Sequence, residues 1–446
     1  MKGLSNALLA GRMQELILES VMATPWREAV RQGLVYVHTL TPDFRATLLV
    51  PELRHVPAHD DTSFMLGLVH ALKARSAEAT ELCLPYYAPD VGLPLLQRYG
   101  SHRLADVLGQ LFSLWSLEPR CRISLNFGDD LGDDALTLAA TTLHVLDQGA
   151  TFLEPQIVLR VRQGVNLERG SSGFKVLYQA LDMARTRPNI SFALMDSPQN
   201  RGLMGLLAFT HQGLRLEPAL LDFYQGTRDQ IVGGKVSVNV PRALSYGLSG
   251  LQEALDVAAR LLATHLEFIA VTNGTEAERG VPLIINLSGL NSYPVSHALF
   301  ETMDFLGGCV EKLRDMFNLN FVLASTGERV PFAQTVPVVP RQHGISALVA
   351  SMEQYLPGGH CLWLSTGAHQ TPDDLYNQLL EASEKGISFL RFSPDDMRCA
   401  NCHLFVAAIG PCPRCGSTAR RKVAFGDVGL GEIVGDGRTF QNIGED

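Results

Sequence analysis

The pattern of apolar and polar residues along the chain predicts β-strands that alternate with α-helices. Short apolar or alternating runs predict strands at 34–40, 121–128, 157–161, 282–290 and 321–326, and helical spacing predicts helices over 8–22, 174–185 and 297–316. Because the two element types alternate along most of the chain, the pattern favours an α/β fold, built either as a barrel or as an open sheet.

One predicted strand has two chemically different faces. Within 233–243 three valines point one way, whereas Ser237 and Asn239 point the other way, and Pro241 ends the strand. The valine face is expected to pack on a core. The face that carries Ser237 and Asn239 is therefore a candidate wall of a site, although a buried asparagine is as often a satisfied structural residue.

The helix near the C-terminal end of this pattern has explicit start and stop signals. Thr371 is the predicted N-cap, Pro372 occupies the first helical position, and Asp374 lies in the first turn. Gly386 is the predicted C-cap, and a strand follows at 387–393.

Acidic residues occur at two places where a metal or substrate role is an alternative. Asp133 and Asp134 come at the start of a predicted helix, where negative charge suits the helix dipole, and that interpretation is preferred to a ligand role. His59, Asp60 and Asp61 could bind a metal, but such a triplet in a polar loop usually does not.

Composition and charge exclude several classes of protein. The apolar residues make up 46% of the chain and the charged residues 19%, which is typical of a globular protein with a sizeable core. A net charge of -9 argues against nucleic-acid binding by the whole surface. No run of apolar residues is long enough to span a membrane, and Arg12 and Glu15 interrupt the first apolar stretch. We therefore expect a soluble cytoplasmic protein without a cleaved signal peptide.

Half of the eight cysteines form a cluster with the spacing of a metal site. Two Cys-x-x-Cys pairs are separated by nine residues, and their members are Cys399, Cys402, Cys412 and Cys415. Four thiolates at this spacing favour a closed tetrahedral zinc site with a structural role; a redox pair or an iron centre is the alternative. The remaining cysteines are scattered and do not resemble a disulfide framework: Cys83, Cys121, Cys309 and Cys361.

The basic residues around this cluster suggest a further alternative. Arg414, Arg420, Arg421 and Lys422 would suit a zinc ribbon that binds nucleic acid. A patch of four basic residues is small, and it lacks interleaved aromatic residues, so a solvated basic face is the preferred interpretation.

Several segments, in their order and spacing, resemble the large subunit of anaerobic (class III) ribonucleotide reductase, a glycyl radical enzyme. They are LVYVHTL, RISLNFG with EPQIVLRVRQGVN, FALMDSPQN, KVSVNVPRA, GGHCLWLSTG and the terminal GRTFQN. The resemblance extends from about residue 10 to residue 446. It implies a ten-stranded α/β barrel, usually a homodimer, with a reductase-like barrel at 1–394, a zinc ribbon with four cysteine ligands at 395–418 and a glycyl-radical-like segment at 419–446.

The resemblance also implies a chemistry. In this family a radical-SAM activase installs a radical on a C-terminal glycine, the radical moves to a cysteine on a finger loop, and the thiyl attacks the 3'-hydrogen of a nucleotide. Gly429 is the best placed glycine, judged by its distance from Cys415 and from the terminal RTFQN; Gly426 and Gly431 are the alternatives.

The active-site residues of the family are matched only in part. Asn239 fits the family's asparagine, and Ser237 on the same face becomes a candidate substrate-binding residue. Leu206 or Leu207 stands where the finger-loop cysteine is expected, and FRATLLV carries no second cysteine. Since leucine cannot hold a thiyl radical, ordinary ribonucleotide reduction cannot run through this loop.

Two other cysteines are candidates to replace the missing thiol. Cys361 precedes a strand whose family counterpart lies near the barrel interior, so it is a candidate catalytic residue, and Cys121 opens an earlier strand. An inert buried thiol is the common alternative for each. Two functions therefore remain: a divergent glycyl radical enzyme that acts on a nucleotide or a related substrate, and a catalytically inactive, nucleotide-binding or regulatory paralogue.

Overall fold

The computed structural model describes most of the chain between residues 24 and 422. The described ranges are 24–38, 48–51, 61–76, 79–116, 121–130, 132–148, 155–187, 189–201, 207–216, 230–273, 280–290, 296–327, 330, 345–366, 370–394, 397–399 and 420–422. Several predictions lie outside them: the helix over 8–22, the His59–Asp60 pair, Leu206, the zinc ligands Cys402, Cys412 and Cys415, and the glycines Gly426, Gly429 and Gly431.

Helices occur along the whole described chain. They are α1 (Thr24–Arg31), α2 (Asp61–Ser76), α3 (Leu93–Tyr99), α4 (Ser101–Ser116), α5 (Asp133–Gln148), α6 (Phe174–Ala184), α7 (Val240–Leu244), α8 (Gly247–Asn273), α9 (His297–Phe317), α10 (Ala347–Met352) and α11 (Pro372–Lys385). A π-helical turn precedes α3 at Ala88–Gly92, and a 3-10 turn follows α10 at Glu353–Tyr355.

The strands between these helices are mostly short. They are β1 (Val35–Val37), β2 (Leu48–Val50), β3 (Glu81–Leu84), β4 (Arg122–Phe127), β5 (Gln156–Val161), β6 (Ile190–Leu194), β7 (Ala208–Phe209), β8 (Arg215–Leu216), β9 (Gln230–Val232), β10 (Gly234–Asn239), β11 (Pro282–Ser288), β12 (Asn320–Ala324), β13 (Leu362–Thr366), β14 (Phe389–Pro394), β15 (Met397–Cys399) and β16 (Arg420–Lys422).

Two large sheets contain most of these strands. An eight-stranded sheet has the order β13-β14-β6-β5-β4-β3-β2-β9, and a four-stranded sheet has the order β1-β10-β11-β12. Strands β2 to β6 are parallel to one another, and so are β10, β11 and β12, whereas β1 is antiparallel to β10. The direction reverses where β14 meets β6 and where β9 meets β2. The fold is therefore a mixed α/β architecture, as the sequence predicted.

The two sheets are joined at both of their ends. Ser325, just after β12, forms a parallel bridge with His360, just before β13. At the other end β9 leads into β10 through Gly233, whose N–H donates to the Pro282 carbonyl at the start of β11. Strands that lie in different sheets are thus neighbours at each junction.

Each sheet buries one face against helices. Val236 and Val238 belong to a core that includes α8 and α9, and a separate, larger core fills the space between the eight-stranded sheet and its helices. We call the opposite side of each sheet the inner face. A third cluster combines inner-face residues of both sheets, such as Val50 and Ile284, with Leu214 of the segment before β8. The two inner faces therefore enclose the β7–β8 segment between them.

The predicted elements that fall within the described residues are confirmed, with small differences in their ends. The predicted strand 282–290 is β11, the predicted helix 297–316 is α9, and the caps of α11 at Thr371 and Gly386 are as predicted. One strand ends earlier than expected. Strand β10 stops at Asn239 rather than at Pro241, because Asn239 is already the N-cap of α7.

Candidate functional site

The residues Leu207–Leu216, which we call the inner hairpin, lie between the two inner faces. Strands β7 and β8 pair with each other and turn through Thr210 and Gly213. The eight-stranded sheet is hydrogen-bonded to the hairpin through the side chain of Asn126 in β4. Asn126 accepts a hydrogen bond from the Phe209 N–H at 2.8 Å and donates to the Phe209 carbonyl at 2.9 Å. Asn126 thus pairs with Phe209 as a neighbouring strand would.

Further residues of the eight-stranded sheet form hydrogen bonds with the hairpin along its length. The Ser191 hydroxyl lies 2.7 Å from the His211 carbonyl and 2.5 Å from its Nδ1, and the His211 N–H donates to the Ser124 hydroxyl. At the other end Arg160 donates to the Leu207 carbonyl. Because these groups are buried and paired, the hairpin has one defined position between the sheets.

A second set of polar side chains crosses the inner face of β10, β11 and the segment after β12. The Ser237 hydroxyl contacts His38 Nε2 at 2.7 Å and accepts from Asn286 Nδ2 at 2.8 Å. The Oδ1 atom of Asn286 accepts from both the N–H and the hydroxyl of Thr326, at 2.8 and 3.0 Å. Ser237, Asn286 and Thr326 are therefore one continuous hydrogen-bonded line at the carboxyl ends of parallel strands, which is a common place for ligand sites.

Cys361 continues this line on the next strand. The Cys361 N–H donates to the Ser325 carbonyl, and the Ser325 N–H donates to the Gly359 carbonyl. This parallel register places Thr326 beside Cys361, with both side chains on the inner face. Neighbouring side chains in a sheet have Cβ atoms roughly 4.5–5.5 Å apart. We call Ser237, Asn286, Thr326 and Cys361 the inner-face row.

The inner hairpin approaches the inner-face row closely. The Gly327 N–H, one residue after Thr326, donates to the Gln212 carbonyl in the hairpin turn. A Cβ atom on Gly213 would lie 2.7 Å from Cys361 Cβ, and Gly213 has a φ of +85° that favours glycine. The turn of the hairpin is therefore packed directly on Cys361.

The environment of Cys361 keeps its thiol protonated. The side chain is completely buried, and burial raises the pKa of Cys361 to about 12. Positive charge on Arg391 acts in the opposite direction on this pKa, but it does not overcome the cost of burial. A protonated thiol is the form that can give up a hydrogen atom.

Asn239, which the sequence suggested as an active-site residue, has its amide engaged in local structure. Its Oδ1 accepts from the Arg242 N–H at the start of α7, and its Nδ2 donates to the Gly33 carbonyl at 3.1 Å. It lies two residues after Ser237 on the same strand. A substrate that binds Asn239 would have to share the amide with these partners.

The remaining predicted residues are separated from the row. Leu207 is buried in the same inner-face cluster as Cys361. Cys121 belongs to the core between the eight-stranded sheet and its helices, so it does not reach the inner face. Asp133 and Asp134 form the first turn of α5, as the helix-dipole interpretation predicted.

Three residues of the site were missed in the sequence. Asn286 is a polar residue within the otherwise apolar strand PLIINLS. A polar residue inside such a strand could have indicated a candidate site residue from the sequence alone. Thr326 carried no signal, because its role depends on Asn286. Cys83 of β3 is a second inner-face thiol, whose Sγ donates to the Phe209 carbonyl at 3.3 Å, and burial raises its pKa.

The described residues form no evident metal site. In that part of the chain no three His, Cys, Asp or Glu side chains come together in a way that could hold a metal ion. Of the predicted zinc ligands, Cys399 is the last residue of β15, which pairs with β16, and the other ligands lie outside the described ranges. The described helices include none that could span a membrane.

Comparisons with known proteins identify the fold. No family model and no curated protein matches the chain in sequence. Among solved structures, an anaerobic ribonucleotide reductase from Thermotoga maritima in complex with dATP and CTP aligns with a TM-score of 0.60 and 13% identity over 92% of this chain and 84% of that chain. Another structure described as an anaerobic ribonucleotide reductase gives 0.59 and 14%, over 92% and 80%. The α subunit of the Actinobacillus ureae class Id ribonucleotide reductase gives 0.51 and 10%, over 85% and 91%. The chain thus has the fold of anaerobic ribonucleotide reductases, at a low sequence identity.

Proposed function

We propose that this protein is a divergent glycyl radical enzyme, similar to anaerobic ribonucleotide reductase, that acts on a nucleotide or a related substrate. The observation that carries the proposal is the inner-face row, in which a thiol adjoins three hydrogen-bonding side chains inside a reductase-like fold. One of the similar structures is a complex with dATP and CTP, which supports a nucleotide as the substrate class.

The proposal includes a closed ten-stranded barrel. Strands β2 to β6 would form one parallel half and β10 to β14 the other, with β9 as the beginning of the β10 strand. The pairing of β6 with β14, the pairing of β2 with β9 and the bridge between Ser325 and His360 support this closure. The inner hairpin would then occupy the barrel lumen.

Each member of the row has a chemical task in this proposal. Ser237 and Asn286 would bind hydroxyl groups of the substrate and fix its orientation, since both are buried and already aligned by His38 and Thr326. Cys361, as a thiyl, would take a hydrogen atom from a substrate carbon and become a thiol, leaving a carbon radical. Asn239 would contact the substrate at the end of β10. Exclusion of water by the surrounding apolar residues would protect the radical.

The C-terminal part of the proposal rests on the sequence pattern. Cys399, Cys402, Cys412 and Cys415 would bind structural zinc, and the pairing of β15 with β16 supports a ribbon that brackets these cysteines. If so, the purified protein contains about one zinc per chain by atomic spectroscopy. Replacing Cys412 by serine would lower that content, whereas the same change at Cys309 would not. Zinc in the Cys412→Ser protein at the wild-type level would contradict the ligand assignment.

Gly429 would carry the radical, installed by a radical-SAM activase, in a cytoplasmic homodimer. The test is electron paramagnetic resonance after anaerobic treatment with such an activase and S-adenosylmethionine. We expect a doublet from a glycine Cα radical in the wild-type protein and none in Gly429→Ala. The absence of a doublet, with an activase that activates a known anaerobic reductase, would contradict the proposal.

A specific observation favours a second candidate, an inactive nucleotide-binding or regulatory paralogue. Leu207 is completely buried where a finger-loop thiol is expected, and the Asn239 amide is used to cap α7. This candidate predicts no radical but measurable nucleotide affinity. Equilibrium binding of a nucleoside triphosphate to the protein without activation, together with a silent spectrum, would favour it.

A further inference from the structure

Gln156 is the first residue of β5, and its side-chain oxygen lies in an unfavourable position. Within the part of the chain that the structure describes, this Oε1 atom is buried and accepts no hydrogen bond. A buried acceptor without a donor costs free energy, because it has lost its contact with water and has gained no partner in exchange. The atom is therefore suited to a donor that comes from a ligand.

Alternation along β5 places Gln156 on the inner face. Ile157 belongs to the core between the eight-stranded sheet and its helices, whereas Val158 belongs to the inner-face cluster that includes Phe209 and Trp363. Successive side chains of a strand point to opposite faces, so Gln156 lies on the same side as Val158. The oxygen of Gln156 is therefore at the edge of an apolar inner-face cluster.

The end of the inner face at Gln156 is accessible from outside. Glu81 and Arg122, which begin β3 and β4 and pair in register, are half-buried, and so is Gln156. Because β9 is antiparallel to β2 and leads into β10, the carboxyl ends of β10 to β12 lie at this same end. A nucleotide that binds at those carboxyl ends therefore lies at the same opening as Gln156.

The side-chain donors that flank Gln156 on β4 and β6 are already committed to other acceptors. Ser124, which pairs with Gln156 in register, gives its one hydroxyl hydrogen to Glu81 at 2.7 Å. The Ser191 hydroxyl gives its hydrogen to the His211 carbonyl at 2.7 Å, so the histidine Nδ1, which lies 2.5 Å from the same hydroxyl, has to be the donor. The His211 N–H donates to Ser124 at 3.2 Å. Turning any of these donors toward Gln156 would leave another buried acceptor without its hydrogen bond.

We propose that Gln156 Oε1 accepts a hydrogen bond from the exocyclic amino group of a nucleobase, which makes adenine and cytosine the favoured bases. This inference rests on the proposed function, which supplies the nucleotide, and adds how its base is recognised. An ammonium ion is a poor alternative, because it would lose its hydration beside the apolar cluster. A planar base is largely apolar and brings a neutral N–H donor. A base with a carbonyl group at the same position would instead place one oxygen against another.

Two pairs of nucleotides isolate this contact. Inosine triphosphate differs from ATP, and UTP differs from CTP, by a carbonyl group in place of the amino group on the ring. Equilibrium binding to the full-length protein without activation, at one concentration of salt and Mg²⁺, gives a Kd for each of the four. We expect ATP and CTP to bind about 10-fold more tightly than their carbonyl counterparts, which corresponds to about 1.4 kcal/mol for one hydrogen bond to a buried acceptor.

Gln156→Met tests the residue, and Gln378→Met is the matched control. Methionine has nearly the length of glutamine but no carbonyl oxygen. Gln378 of α11 also has a buried Oε1 without a donor among the described residues, but α11 packs on the outer side of the eight-stranded sheet. Gln156→Met should bind the two members of each pair equally, with a thermal midpoint no lower than that of the wild-type protein, since the change removes an unpaired acceptor. Gln378→Met should keep the wild-type preference.

The outcomes distinguish the inference from the proposed function. If none of the four nucleotides binds to the wild-type protein, the nucleotide of the proposed function fails together with the inference. If they bind but the members of each pair bind equally, only the inference fails. A preference that persists in Gln156→Met, or that is lost in Gln378→Met as well, would overturn the assignment to Gln156. A clearly lower thermal midpoint of Gln156→Met would show a structural role for this side chain and would also overturn it.

Discussion

Replacing Gly213 by alanine is expected to destabilise the protein through two separable effects. At a φ of +85° an alanine has the strain of the left-handed region, about 1–2 kcal/mol. Its Cβ would also lie 2.7 Å from Cys361 Cβ and 3.0 Å from Phe389 Cδ1, and overpacking of this kind typically costs about 1–3 kcal/mol. The sum predicts that the free energy of unfolding falls by about 2–5 kcal/mol.

The matched control is Gly164→Ala, because Gly164 has a φ of +73° and nothing within 4 Å of the added Cβ. It should show the backbone strain alone, about 1–2 kcal/mol. Equilibrium urea unfolding, followed by tryptophan fluorescence, gives both values, and an unchanged urea slope would show that the unfolding transition is comparable. Equal losses for Gly213→Ala and Gly164→Ala would refute the claim that the hairpin turn packs on Cys361.

Three further predictions concern groups that hold the site and its scaffold. Asn126→Ala leaves the buried Phe209 N–H and carbonyl without their hydrogen-bond partner, so the free energy of unfolding in urea should fall by about 1–3 kcal/mol for each group. A fall below roughly 0.5 kcal/mol, which is the scatter of surface substitutions, would contradict the pairing of Asn126 with Phe209. Glu353→Gln removes the buried carboxylate that contacts both the Ser388 N–H and His360, so the free energy of unfolding in urea should fall by roughly 1–3 kcal/mol. An unchanged free energy of unfolding would contradict a stabilising role of this carboxylate. The Thr371 N–H and hydroxyl hold the pKa of Asp374 below its usual value, so its contribution to stability is present above about pH 3.9 and is lost as the pH falls through the lowered pKa. Thermal midpoints between about pH 5 and pH 2 should fall more steeply for the wild-type protein than for Asp374→Asn, and identical slopes would contradict this.

Local structure was predictable from the sequence wherever its hydrogen bonds are local. Helix α11 is the clearest example, since Thr371 and Asp374 cap each other across three residues and Gly386 ends the helix in a left-handed conformation. The valines of β10 were likewise assigned to the buried face, because alternation alone determines which side chains share a face.

The inner hairpin could not be predicted in the same way. Its strands are two residues long, and its position depends on Asn126, Ser191 and Arg160, which are distant in the sequence. The row has the same origin, since Ser237, Asn286 and Cys361 become neighbours only through strand pairing. The sequence indicated Ser237 and Cys361 separately. It contained no sign that hydrogen bonds link Ser237 through Asn286 to Thr326, the residue that lies beside Cys361.

The central claim is that the inner-face row performs radical chemistry on a nucleotide. Its most direct test is the electron paramagnetic resonance spectrum of the activated wild-type protein, recorded before and after addition of a nucleoside triphosphate. The account predicts a glycyl doublet that is stable alone and falls in amplitude with the nucleotide, and no such change in activated Cys361→Ser. A doublet that excess nucleotide leaves unaltered in the wild-type protein would contradict it.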